Sequence, residues 1–201
     1  IFIPLISYLF CVIFKSYLSG KQISLISCSL LSIATILSLI SFYFFHINGD
    51  SVVLISNWIS SGSFSVDWSL NFNLLSCSMV LMVNFVSTLI HIYSVGYMNK
   101  DPKRSTFMGY LGLFTFFMLL LVSSNNLLQL FLGWEGVGLT SYLLIGFWNY
   151  KNSANDAAIK AFVVNRIGDF GLLLAIFTIF VVFGTLNTVS YTHLTLPTSS
   201  Q

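Results

Sequence analysis

Long apolar runs separated by short polar loops constrain this chain more than anything else in it. Five read as membrane spans: Ile1–Phe14, Leu25–Phe45, Leu74–Tyr97, Phe107–Val122 and Leu127–Trp148. A sixth, Ala157–Phe183, carries Lys160, Arg166 and Asp169 in its first half. At about 1.5 Å per residue, runs of this length match the ~30 Å hydrocarbon core of a bilayer. With 56% hydrophobic residues, 7% charged residues and a mean hydropathy of +0.89, the chain has far less charge than the roughly 25% of a soluble domain. The expected fold is an all-α, polytopic transmembrane helix bundle of about six spans. The first run has no initiator Met and no basic leading segment, so it reads as a span missing its start rather than a signal peptide.

Charge placement orients the bundle. If the first helix runs outside to inside, the inner loops hold Lys15, Lys21, Lys100, Lys103, Arg104 and Lys151. The outer loops hold Asp50 and Asp67 and no Lys or Arg, a clear positive-inside asymmetry. No basic cluster points to nucleic acid, and the expected surroundings are the lipid bilayer. Cys11, Cys28 and Cys77 lie far apart in or beside apolar runs, with no metal or disulfide spacing. They read as buried, inert thiols.

The chain divides into two N-terminal spans (1–45), an outer-face segment (46–73), a block of further spans (74–188) and an atypical tail (189–201). The outer segment mixes β-branched residues, Trp58 and Trp68 with a turn-like Ser-Gly62-Ser centre. Its alternation is imperfect; a short hairpin and a plain interfacial loop both fit. Asp101-Pro102 predicts a helix break between the third and fourth spans. Ser153-Ala154-Asn155-Asp156 has the capping-box form, and Asp156 stands four residues before Lys160, the favourable order for a helical pair. The tail, YTHLTLPTSSQ, is polar and continues no span, so it reads as foreign and His193 within it as a bystander.

Chemistry concentrates in the fifth and sixth spans. Glu135 is the ninth residue of its run, roughly 12 Å from one end and close to mid-membrane. A carboxyl at that depth costs about 2.5–3.5 kcal/mol on insertion scales, so it must face protein or water, find a partner, or be protonated. Two roles fit: a carboxyl that pins helices together, and one that changes protonation state during transport. Gly133, Gly136 and Gly138 thin the helix around it and let a neighbouring helix or water come close. Arg166 and Asp169 are three apart on one helix face and are expected to pair directly, with Asn165 as a polar neighbour. That pair reads either as a static bridge or as a fixed charge that biases a nearby proton. Lys160 lies on the opposite side of the helix from Asp169 and is shallow enough to snorkel. His91, in LIHIYSVGYM, fits a proton relay or a hydrogen-bonded packing residue. No nucleotide-binding glycine motif, paired nucleophile and base, or cofactor-ligand cluster is legible, and GWEGVG lacks the ending of a phosphate loop.

Several stretches together closely resemble chain 5 of respiratory complex I, NADH:ubiquinone oxidoreductase. They are LVSSNNLLQLFLGWEGVGLTSYLLIGFW, AAIKAFVVNRIGDFGLLLAIF, LIHIYSVGYM, FMGYLGLFTFFMLLLV and ISSGSFSVDWSL. The resemblance runs from Ile1 to about Thr188. It implies an antiporter-like subunit of the membrane arm, in contact with other membrane-arm subunits and active in redox-coupled proton translocation. Glu135 would be the switchable acid, Asp169 and Arg166 its electrostatic neighbours, and His91 a lesser candidate. In the family the acid pairs with a lysine on a later, broken helix, and family members run to several hundred residues. The chain is therefore expected to be the first third of such a protein and inactive by itself. NADH, flavin, iron–sulfur clusters and ubiquinone would be used elsewhere in the complex, with no cofactor bound by this chain. A multisubunit sodium/proton antiporter and a non-pumping membrane scaffold are the alternatives. Two Arg against six Lys, with abundant Phe, Ile, Ser and Asn, suit an AT-rich genome. The expected location is the mitochondrial inner membrane, with a bacterial plasma membrane as the alternative.

Overall fold

A computed structural model of the protein describes residues 1–61 and 64–187. Gly62 at the expected turn and the tail with His193 lie outside the described residues. The elements in chain order are α1 (Ile3–Phe14), α2 (Gly20–Asn48), β1 (Ser51–Ser61), β2 (Phe64–Phe72), α3 (Leu74–Tyr97), α4 (Arg104–Val122), α5 (Leu127–Ile145) and α6 (Asn152–Phe183). Five of these helices, α2 to α6, are long and apolar enough to cross a membrane. α1 has 12 residues and is about 18 Å long, short of the ~30 Å hydrocarbon core.

Helix starts follow the local chemistry. Ser19 caps α2 through a complete capping box with Gln22, Asn73 caps α3, and Asn126 caps α5 by accepting from the Gln129 N–H at 2.8 Å. α6 differs from expectation. It begins at Asn152 with Lys151 at the N-cap and no side-chain cap, so the Ser153 capping box does not form. A tight turn after Trp148 closes first, and the Lys151 ammonium settles over the Trp148 ring at 5.1 Å. That starts the helix one residue before Ser153. Nor do Asp156 and Lys160 pair: both are exposed, where an ion pair gains little.

The outer segment is a hairpin, with β1 antiparallel to β2. Register shifts between Leu54 and Ser56 and between Asn57 and Ile59 account for the imperfect alternation. Trp58 and Trp68 meet edge to face at 5.1 Å between centroids, and Asn57 Nδ2 donates to the Asp67 carboxylate across the strands at 2.9 Å.

The two ends of the bundle separate as the charges require. At the end without Lys or Arg, the hairpin ties to the α4–α5 junction: Asn126 Nδ2 donates to the Asp67 carbonyl at 2.8 Å. The Ser69 N–H donates to Gln129 Oε1 at 3.2 Å, and the Leu127 N–H to the Leu186 carbonyl beyond α6 at 3.0 Å. At the basic end, buried Arg104 donates from Nε to Ser24 Oγ at 2.7 Å and from Nη1 to Asn99 Oδ1 at 3.2 Å. There too Trp148 Nε1 donates to Asp101 at 3.0 Å, joining the α3–α4 and α5–α6 loops.

Small residues set the helix spacing. A Cβ added to Gly133 would stand 2.8 Å from the Leu121 backbone, and one added to Gly136 would run into the Phe117 ring. α4 and α5 therefore touch nearly backbone to backbone. Gly112 does the same for α4 against α1, where a Cβ would lie 3.1 Å from the Pro4 carbonyl oxygen. α6 packs on α5 and leaves most of its length uncovered.

Candidate functional site

The α4–α5 contact fixes what α5 presents on its other side. With Gly133 and Gly136 turned against α4, the neighbouring Trp134 and Glu135 reach toward α6. Glu135 is the ninth residue of the 19 in α5, at its centre. Arg166 of α6 meets it there. Its Nη1 donates to both carboxylate oxygens, at 2.7 Å and 2.6 Å, in the one ion pair formed among the described residues. The Arg166 guanidinium also stands 5.0 Å from the centre of the Phe162 ring one turn earlier.

This corrects the expected Arg166–Asp169 pair. Spacing three apart puts the two on one helix face, but the helix-to-helix register offers Arg166 a carboxylate it meets with two charge-assisted hydrogen bonds. Asp169 is buried instead under α5, where Trp134 Nε1 donates to its Oδ1 at 2.9 Å. Consecutive residues of α5, Trp134 and Glu135, thus engage Asp169 and Arg166 of α6. Asn165 turns toward α5 as well, its Nδ2 4.0 Å from the position a Cβ on Gly138 would take.

The two acids sit in different surroundings. The Glu135 side chain is 22% exposed and that of Arg166 53%. Phe162, Val163, Arg166, Ile167 and Phe170 of α6 line a shallow groove of about 370 Å³. Asp169 has its indole partner and almost no exposure. Glu135 is thus a carboxylate met by a cation near mid-helix, and Asp169 a carboxyl group buried beneath an indole.

His91 does not join this group. It is fully buried on α3, its Nδ1 2.8 Å from the Ser87 carbonyl, and α4 stands between α3 and α5. Lys160 is exposed on α6 and makes no ion pair. Sequence reasoning missed Trp134 as the partner of Asp169, although it directly precedes Glu135. It also missed Gln129 and Arg104, whose polar or charged side chains beside apolar runs are the available signal.

Two family models match the chain. One, described as NADH-ubiquinone oxidoreductase (complex I), chain 5 N-terminus, covers residues 58–108. The other, described as NADH:quinone oxidoreductase/Mrp antiporter, TM, covers residues 124–199, which takes in much of the segment set apart as an atypical tail. NADH-ubiquinone oxidoreductase chain 5 of Triticum aestivum is 46% identical over 93% of this chain and 28% of its own length. NADH-quinone oxidoreductase subunit L of Rickettsia bellii (strain RML369-C) is 48% identical over 89% of this chain and 28% of its own length. The chain thus spans a little over a quarter of these relatives.

Two solved structures share the fold. The archaeal membrane-bound sulfane sulfur reductase matches with a TM-score of 0.82 at 18% identity, over 96% of this chain and 38% of the other. The Mrp complex from Dietzia sp. DQ12-45-1b matches with a TM-score of 0.74 at 22% identity, over 92% of this chain and 20% of the other. A bundle with these matches, carrying a mid-helix acid in GWEGVG, belongs to the antiporter-like membrane-subunit family of NADH-ubiquinone oxidoreductase chain 5 and bacterial subunit L.

Proposed function

We propose that this chain serves in the membrane arm of a proton-pumping NADH:quinone oxidoreductase, where it takes part in redox-coupled proton translocation. The Glu135–Arg166 pair carries this reading: an acid and a permanent cation, 2.6 Å apart at the centre of two packed spans. Drawing Arg166 away, or bringing a second cation near, changes the balance and lets Glu135 take up or release a proton. Asp169, held by Trp134, places a second carboxyl group one turn from Arg166 and gives the guanidinium somewhere to go. In this reading Glu135 is the switching group, Arg166 the bias and Asp169 the positioning group.

Other membrane-arm subunits are its partners in this reading. NADH, flavin, iron–sulfur clusters and ubiquinone act elsewhere in the complex, and this chain's part is to move charge. The relatives from Triticum aestivum and Chondrus crispus favour the mitochondrial inner membrane, and those from Rickettsia a bacterial plasma membrane as the second setting.

The test is the number of protons moved per electron in vesicles holding the assembled complex with Glu135→Gln. The reading expects normal assembly and a severalfold lower yield; an unchanged yield removes Glu135 from the path. A sodium/proton antiporter subunit is separated by exchanging sodium for potassium, which leaves the yield unchanged on the favoured reading.

A further inference from the structure

The buried face of α3 is polar along most of its length, although the helix as a whole is apolar. Ser76, Asn84, Ser87, Thr88, His91 and Ser94 are all buried there, at helical spacing. Such side chains often do no more than join helices by hydrogen bonds. Some of these do just that: Thr88 bonds Thr35 of α2 at 2.8 Å, and Ser87 bonds Thr115 of α4 at 2.5 Å.

Two atoms are left over. Asn84 Oδ1 and His91 Nε2 have no hydrogen-bond partner among the described residues, on residues that are 2% and 0% exposed. The tautomer of His91 follows from its other nitrogen. Nδ1 lies 2.8 Å from the Ser87 carbonyl oxygen, which can only accept, so Nδ1 carries the hydrogen and Nε2 offers a lone pair. Both leftover atoms are therefore acceptors. They sit on one face of α3, seven residues and about 10 Å apart, with the Ser87 and Thr115 hydroxyls between them. Packing chemistry alone leaves such acceptors costly. The nearest basic side chain on α4, Arg104, already spends Nε on Ser24 and Nη1 on Asn99.

Water is the donor that fits. A cavity of about 130 Å³ opens beside Asn84, lined also by Ile1, Ile3, Ser38, Ser41 and Phe72, which is room for a few water molecules at roughly 30 Å³ each at the Asn84 end; His91 does not line it. Resting on the proton-translocation reading above, we propose that Asn84 and His91 seat a file of internal water on the buried face of α3. His91 is then a second proton-holding group, separated from Glu135 by α4. A protonated water in the file transfers its proton to Nε2, leaving neutral water and an imidazolium; return of that proton to water restores the ring. The hydroxyls of Ser87 and Thr115, each donor and acceptor, link the two seats.

The test has two independent readouts on the assembled complex. A density map that resolves ordered water is expected to show water within hydrogen-bond distance of His91 Nε2 and Asn84 Oδ1; an empty, dry site there overturns the proposal. In vesicles, His91→Phe is expected to lower protons moved per electron at least twofold, and Asn84→Leu to do likewise if His91→Phe fails to assemble. Thr88→Val, which removes only the bond to Thr35, is expected to change nothing. Unchanged yield in an assembled His91→Phe or Asn84→Leu complex overturns the proposal. Glu135→Gln is measured alongside: its loss of yield beside a fully active His91→Phe refutes the α3 site alone, and full activity of Glu135→Gln refutes the reading beneath it.

Discussion

Arg166 crosses from α6 to α5 and gives both oxygens of the Glu135 carboxylate a hydrogen bond from a single nitrogen, at 2.7 Å and 2.6 Å. The contact joins the centre of one span to the charged first half of the next. It leaves Asp169, three residues further along α6, to the indole of Trp134. One acid is thus held by a cation, and the other by a neutral donor under a buried surface.

Replacing Arg166 tests the cation. Arg166→Met leaves Glu135 without its counter-charge and is expected to lower proton yield about tenfold in the assembled complex. Arg166→Lys keeps the charge while losing the planar fork and is expected to retain an intermediate yield. Equal yields for the two variants would show that charge at this position does not matter.

Trp134→Phe removes the only hydrogen bond of the Asp169 side chain among the described residues and leaves a buried carboxyl group short of a donor. A loss of about 1–3 kcal/mol in stability is expected, read as a lower temperature for thermal dissociation of the complex. Asp169→Asn combined with Trp134→Phe is expected to cost less than the sum of the two single changes, because both remove the same contact.

Spacing between α4 and α5 predicts unequal tolerance among neighbouring glycines. Gly133→Ala sets a methyl against the Leu121 backbone at 2.8 Å, which cannot turn aside, so assembly is expected to fail or fall sharply. Gly136→Ala meets the Phe117 side chain, and a second change, Phe117→Leu, is expected to restore assembly. Gly138→Ala meets only Asn165 at 4.0 Å and is expected to behave as wild type. Quantifying assembled complex in the membrane checks all three.

Gln129 is fully buried near the start of α5 and accepts from the Ser69 N–H of the hairpin. Gln129→Leu is expected to free the hairpin from the helix ends, raising protease cleavage between residues 51 and 72 while leaving the α5–α6 pair in place. Unchanged cleavage would show that Asn126, bonded to the Asp67 carbonyl, and Asn125, whose Nδ2 donates to Ser69 Oγ at 3.0 Å, hold the hairpin without it.

Much of this architecture is legible in the sequence because one solvent imposes it. Apolar run length marks the spans from α2 to α6, and the loop lysines predict which helix ends meet; the hairpin contacts and the Arg104 cluster fall on the sides so expected. Glu135 stands out because a mid-span acid is costly wherever it occurs. The partner of Arg166 is not legible in the same way. Spacing within α6 makes Asp169 its neighbour, whereas the choice of Glu135 depends on how far α5 slides along α6, which no local pattern encodes. The start of α6 is hidden for a similar reason: the turn that closes after Trp148 overrides the Ser153 capping pattern.

Protonation of Glu135 is the central claim, and infrared difference spectroscopy of the assembled complex, reduced minus oxidised, tests it most directly. The account predicts a carboxylic-acid C=O band that appears on turnover, shifts in Glu135→Asp and vanishes in Glu135→Gln. A spectrum that is the same with and without the Glu135 carboxyl would contradict it and leave the Glu135–Arg166 pair as a fixed brace between α5 and α6.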